Sequence, residues 1–195
     1  MLQISVRAAM PSDFQDIERL RVDAYNVRGY CSQSRVTEQC FLENQFALVA
    51  EIDGEIVGTM SVTYDRGEIP TDSVFPTETS CVRGLSKKIA YYGSFAVRVG
   101  MWRSGTNAIG QALIREAIVR TSAEGADAAI IVVNPRHVLF YQKLGLKEMA
   151  RQDNMPGIEK APAVMLAATG EDFKNLLARH EEISRAYDRK NRMRE

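Results

Sequence analysis

The sequence predicts an α/β (α+β) protein built on a mixed central sheet of about seven strands, with helices on both faces. Three observations predict it. Short β-rich runs alternate with segments of helical spacing along most of the chain. One run, "DAAIIVVN", is apolar without alternation, as in a strand covered on both faces. The chain has 195 residues and is 45% hydrophobic, enough for one domain with a substantial core and short for two.

"QISVR" alternates and reads as the first strand. "PSDFQDIERLRVDAY" follows as a helix, with Ser12 as N-cap and Gln15 completing a capping box. Phe14, Ile17, Leu20 and Ala24 share one face. "NVRGYCSQS" breaks the pattern, and "RVTEQCFLEN" holds a short second helix. "FALVAEIDGEIVGTMSVTYD" contains two apolar runs around Asp53-Gly54, a strong hairpin signal. "RGEIPTDSVFPTETSCVRGLSKK" has two prolines and little periodicity, so it reads as a long loop with room for a short helix. "IAYYGSFAVRV" is a strand whose glycine marks a bulge or a close backbone approach.

"SGTNAIGQALIREAIVRTSAEGA" is a helix entered through small residues and ended near Gly125, with Ile109, Leu113, Ala117, Ile118 and Thr121 on its buried side. The apolar strand "DAAIIVVN" leads to a short helix, "RHVLFYQKLG", and then to the strands "LKEMARQ" and "APAVMLAAT". "EDFKNLLARHEEISRAYDRKN" closes the chain as an amphipathic helix, with Phe173, Leu176, Leu177, His180, Ile183 and Tyr187 in register. Residues 1–170 are expected to form one domain. Residues 171–195 form a helix packed on the same domain, with a charged, solvated tail.

Composition excludes some functions. Lys+Arg and Asp+Glu balance at 25 each, so net charge gives no argument for nucleic-acid binding. "MLQISVRAAMPSDF" lacks the basic and apolar regions of a secretory signal, and no apolar run spans a bilayer. The cysteines, Cys31, Cys40 and Cys81, are odd in number and match no metal knuckle. Reduced thiols in a cytoplasm, with no metal site, are the expectation.

Two stretches carry candidate chemistry. In "WRSGTNAIGQAL", small residues at a helix start let backbone N–H groups converge on an anion, and Arg103 adds a cation. The same residue types also serve as ordinary caps. In "IIVVNPRHVLFYQKLGLKEM", Asn134 ends a buried strand and Tyr141 follows on a helix, which places a phenol where α/β sheets open binding clefts. A core tyrosine with its hydroxyl at the surface fits that spacing equally.

The order of elements resembles the GNAT N-acyltransferase fold over nearly the whole chain. "WRSGTNAIGQAL" takes the place of that family's pyrophosphate loop, and "VVNPRHVLFYQKLGLKEM" that of its Asn-helix-Tyr-Leu-Gly segment. "NPRHVLFYQKLG" followed by "MPGIEKAPAVMLA" is similar to a narrower branch, the long-chain N-acyl amino acid synthases, which are related to acyl-homoserine-lactone synthases. "VRGY" at Arg28 and the prolines of "PTDSVFPTE" fit that branch more loosely.

The resemblance implies transfer of an acyl group, with fatty acyl first in line, from a thioester to the amino group of an amino acid or similar small amine. The donor would lie between the fourth and fifth strands, its carbonyl polarised by backbone N–H groups near Phe95, Ala96 and Val97. Tyr141 would protonate the leaving thiolate. Asn134 would hold the pantetheine arm, and His137 would meet the carrier. Gly105, Ala108 and Gly110 fall on the pyrophosphate-loop pattern, with Thr106 and Asn107 between them, while Arg103 is displaced from its usual place. That departure favours acyl carrier protein over coenzyme A as the donor's carrier. Tyr91 and Ser94 stand where the branch carries a glutamate and an arginine. Arg28, Arg35 and Arg83 lie in or beside the polar segments expected to flank the acceptor, where an arginine clamps a carboxylate with two parallel hydrogen bonds. Two alternatives stay open: an acetyl-CoA-dependent N-acetyltransferase, and a catalytically silent domain that binds an acyl carrier or metabolite.

Overall fold

The computed structural model describes residues 3–27, 29, 43–101, 106–154 and 161–180. Seven strands form a single sheet in the order β1-β2-β3-β4-β5-β7-β6. They are β1 Ser5–Ala8, β2 Gln45–Ile52, β3 Glu55–Tyr64, β4 Ile89–Val97, β5 Ala128–Val133, β6 Lys147–Gln152 and β7 Ala163–Thr169. Among the described residues only β4 and β5 run parallel; every other neighbouring pair is antiparallel. The helices are α1 Phe14–Asn26, α2 Pro76–Leu85, α3 Thr106–Ala123 and α4 Val138–Leu144, and α5 runs over 170–180 among the described residues. The mixed sheet expected from the sequence is therefore present.

Alternation decides which residues meet which helices. Leu48, Met60, Tyr92, Ile131 and Leu166 point to one face and join the buried side of α3, with Tyr141 of α4 and Phe173 of α5 in the same core. Their neighbours in sequence point the other way. Ala47 and Val49 meet Ile17 of α1, while Ile89, Ile130 and Met165 meet Phe75 and Val82 around α2. Burying such side chains contributes about 1.5–3 kcal/mol each for the larger ones.

The hairpin between β2 and β3 turns on Asp53 and Gly54, at φ 52° and 81°. Two positive φ values are the requirement of the type I′ turn that Asp-Gly signals. The glycine is needed there, because few other residues adopt that conformation without cost.

Three expectations need correction or limit. Ser12 is not the cap of α1. A 3-10 turn, Pro11–Asp13, starts the helix earlier, and the Asp13 carboxylate accepts the Met10 N–H at 2.7 Å. The 66–88 stretch is not mainly loop: it holds a 3-10 turn, Pro70–Ser73, and the ten-residue α2. Its two prolines sit at first helical positions, where a missing N–H is harmless, so they begin helices rather than break them. The second helix expected over 35–44 falls almost entirely outside the described residues, as do Ile183 and Tyr187.

Candidate active site

β4 and β5 pair only from Ile89↔Ala128 to Tyr92↔Ile131, although they continue to Val97 and Val133. Past Tyr92 the two strands separate. β4 also carries a bulge there. Gly93 pairs with Ser61 and Ala96 with Thr59, so two residues, Ser94 and Phe95, oppose Met60 alone. Ser94 sits at φ 47°, a left-handed conformation that residues with a Cβ rarely adopt. The extra residue inverts the alternation. Tyr92 and Val97 face the same core despite an odd spacing, and Ala96 turns toward Leu20 and Ala24 of α1. The glycine in this strand does adjoin a bulge. It also answers a close approach, because a Cβ on Gly93 would lie 2.6 Å from Cε1 of the Tyr91 ring.

Three phenols approach this end of β4. The Tyr25 hydroxyl, from the last turn of α1, donates to the Phe95 carbonyl at 3.4 Å. Tyr91 lies half-buried over Gly93; burial, then the proximity of Tyr25, push its pKa up to about 12. Tyr141 is 5% exposed, with its ring edge-on to Phe140 at 5.0 Å. Burial first, and Tyr25 second, hold its phenol well above the ordinary value, so it carries its proton at neutral pH. Tyr25 thus lies close enough to act on both tyrosines, which belong to the cores on opposite faces of the sheet.

Asn134 ends β5 and caps the turn Pro135–His137: its Oδ1 accepts the Arg136 N–H at 3.2 Å and Arg136 Nε at 3.0 Å. The half-buried His137 donates its backbone N–H to the Asn134 carbonyl at 2.9 Å. At the other side of the opening, α3 begins with Thr106 and Asn107, and Ala108 is exposed. Gly110 is buried: a Cβ on it would meet Cζ of Phe95 at 3.2 Å, so its smallness serves the packing of α3 on the bulge. Arg103 and Gly105 lie outside the described residues, as do Arg28 and Arg35.

Arg83 does not offer a free fork. Its Nε and Nη2 donate to Asp65, and its Nη1 and Nη2 to Asp72. Its hydrogen bonds hold the Asp72 carboxyl below the usual carboxylate range. With both edges of the guanidinium engaged, the expected clamp on an acceptor's carboxylate is not supplied by Arg83. Tyr25 was not foreseen. It lies four residues after the buried Arg21 on α1, and a polar pair at helical spacing beside the core stripe was the available signal. Among the described residues, no group of three or more His, Cys, Asp or Glu is placed to hold a metal ion.

The strand order, the parallel β4–β5 pair and its splayed end are now joined by a family match. The family model for N-acyl amino acid synthase FeeM matches residues 16–169. The chain belongs to that family. It is an N-acyltransferase, working on an acyl group delivered as a thioester and an amine acceptor. Solved structures agree on the fold. The chain is similar to FeeM, an N-acyl amino acid synthase from uncultured soil microbes, with 20% identity and a TM-score of 0.77 over 90% of this chain and 96% of that one. It is also similar to a polyamine N-acetyltransferase of Drosophila melanogaster, with 13% identity and a TM-score of 0.67 over 86% of this chain and 100% of that one. A GNAT-family acetyltransferase from Streptococcus pneumoniae matches with 19% identity and a TM-score of 0.62, over 86% and 99% of the two chains. No curated protein matches.

Proposed function

We propose that the enzyme moves a fatty acyl group from a carrier thioester to the amino group of an amino acid or a similar small amine. The observation that carries this reading is the splayed end of β4 and β5, with the neutral, buried Tyr141 beside it. The thioester lies in the opening, and backbone N–H groups around Phe95, Ala96 and Val97 face its carbonyl oxygen. The amine nitrogen attacks the carbonyl carbon, and the C=O electron pair moves to oxygen, where fixed backbone dipoles stabilise it. Collapse re-forms the carbonyl and breaks the C–S bond. The departing sulfur takes the Tyr141 proton, and the amine's surplus proton leaves through water to restore the phenol.

Tyr91 lines the acceptor side. Asn134 and His137 are assigned to the pantetheine arm, with Arg28 and Arg35 the remaining candidates to clamp a carboxylate. Arg103, which precedes α3 in sequence, and Thr106, Asn107 and Ala108 of its first turn are assigned to the carrier's phosphate. Acyl carrier protein fits better than coenzyme A as that carrier. One glycine of the phosphate-loop pattern, Gly110, is already committed to the Phe95 ring, which leaves a protein surface to supply binding. No helix among the described residues is long and apolar enough to cross a membrane.

The test is direct. Purified enzyme is offered acyl groups of several lengths on each carrier, with mixed amino acids and simple amines, and products are read by mass spectrometry. Long-chain N-acyl amino acids, with a higher kcat/KM on carrier protein than on coenzyme A, are expected. Acetylated products only, or a clear preference for coenzyme A, would reject the corresponding part of the reading.

A further inference from the structure

We propose that Tyr25 is a positioning residue that clamps the β4 bulge in the geometry used for acyl transfer. The proposal rests on the reading that the thioester carbonyl docks at that bulge. Ser94 occupies a sparsely populated backbone region, which persists only where the surroundings hold it. Phe95, the next residue, is held from both faces of the sheet. Its ring packs against Gly110 of α3. Its carbonyl takes the Tyr25 hydroxyl from α1 on the opposite side. The backbone N–H groups expected to meet the developing oxyanion belong to this same segment. Their aim depends on the peptide planes on either side of Phe95, and one of those planes carries the carbonyl that Tyr25 holds. Hydrogen bonds of this kind are often long in an unliganded enzyme and tighten in the working complex. Tyr25 therefore acts through the backbone and need not touch the reacting atoms.

Tyr25→Phe keeps the ring and removes only the hydroxyl. With saturating substrates its kcat should fall about tenfold, the value of one neutral hydrogen bond. The donor KM should stay within about twofold and the thermal midpoint within about 2 °C. Ser94→Gly supplies the second arm, because glycine adopts the left-handed conformation without strain. In that background, loss of the Tyr25 hydroxyl should cost only about twofold, a coupling that independent sites do not show. Equal tenfold losses in both backgrounds would overturn the clamp. So would an unchanged kcat, or a loss of donor affinity and fold together, which is the mark of a packing residue. Amide hydrogen exchange needs no turnover. Exchange at Phe95, Ala96 and Val97 should quicken about tenfold in Tyr25→Phe, and unchanged exchange would overturn the clamp by itself. A native enzyme that acylates nothing, together with quickened exchange, would strike the transfer reading and leave the clamp standing.

Discussion

Two kinds of polar cluster brace this fold, and they differ in how far their members satisfy one another. The arginine knots are saturated at Arg7 and nearly so at Arg83. Arg7 reaches Asp13 and Glu51, each at 2.6 Å, and ties the start of α1 to β1 and β2. Arg83 reaches Asp65 and Asp72, again at 2.6 Å each, and ties α2 to the end of β3. The tyrosine cluster at the splayed end of β4 has no formal charge at neutral pH. The Tyr25 hydroxyl reaches the Phe95 carbonyl only at 3.4 Å, and burial holds the Tyr141 phenol in its protonated form. A group whose donors and acceptors are nearly all matched holds segments together and has little left to give a ligand. A neutral hydroxyl kept protonated by burial has a proton to give.

The sharpest test of this contrast is the largest expected effect. Tyr141→Phe should lower kcat by roughly 10²–10⁴-fold, the usual contribution of a general acid. The ring still packs against Phe140, so the thermal midpoint should hold. Turnover equal to that of the native enzyme would make Tyr141 a core residue and dissolve the distinction between the clusters.

The opposite behaviour is expected of the knots. Arg83→Lys keeps the charge and loses the fork, so Asp65 and Asp72 cannot both be satisfied. Asp65 is nearly buried, with 8% of its side chain exposed. The loss should be about 1–3 kcal/mol of stability, read as a lower midpoint in denaturant. The acceptor's KM should stay within about twofold of native. A raised acceptor KM at unchanged stability would turn Arg83 into a substrate clamp.

The same contrast has a pH signature. Asp13 and Asp72 are held below their ordinary value of 3.8, chiefly by hydrogen bonds from Arg7 and Arg83. A depressed carboxyl contributes stability that is fully present above the unfolded pKa and lost as pH falls through the folded one. Stability should therefore persist from neutrality to about pH 5 and fall steeply below about pH 4. In Arg83→Met the Asp72 share of that acid loss should vanish. Tyr141 is shifted the other way, so the enzyme should show no alkaline fall in kcat from this phenol below about pH 10. An acid limb unaltered by Arg83→Met, or an alkaline limb near neutrality that Tyr141→Phe removes, would break the assignment.

Much of the fold was legible because it depends on short-range chemistry. Alternation marked the strands, Asp53-Gly54 marked the hairpin, and Gly93 marked the bulged strand. What stayed hidden depends on partners far along the chain. Arg83 looked free because Asp72 and Asp65 stand 11 and 18 residues away, and nothing local ties a surface arginine to them. Tyr25 was silent because its partner, Phe95, is 70 residues on. The helix α2 was obscured by prolines, whose meaning reverses between the interior and the first turn of a helix. Asn134 and Tyr141 stood out by their place after a buried strand, but only family resemblance gave them roles, since their spacing fits a capped core helix equally well.

The smallest effect concerns Gly110, which the sequence pattern assigns to a phosphate loop and the structure sets against the Phe95 ring. Gly110→Ala brings two opposed terms. Alanine favours the helix by up to about 1 kcal/mol over glycine in a helix interior. Its Cβ would sit 3.2 Å from Cζ of Phe95, so the ring must give by a few tenths of an ångström. That atom is the far end of a side chain only partly buried at the bulge, which can shift where a backbone could not. The two terms should nearly cancel, leaving stability within about 1 kcal/mol of native. Because Gly110 faces the protein interior, the donor's KM should change by less than about twofold on either carrier. A modest fall in kcat alone would show the ring passing its displacement to the bulge, as expected if α3 and α1 hold Phe95 from opposite faces. A large rise in donor KM would return Gly110 to the phosphate site, and α3 would then bind the carrier more deeply than its first turn.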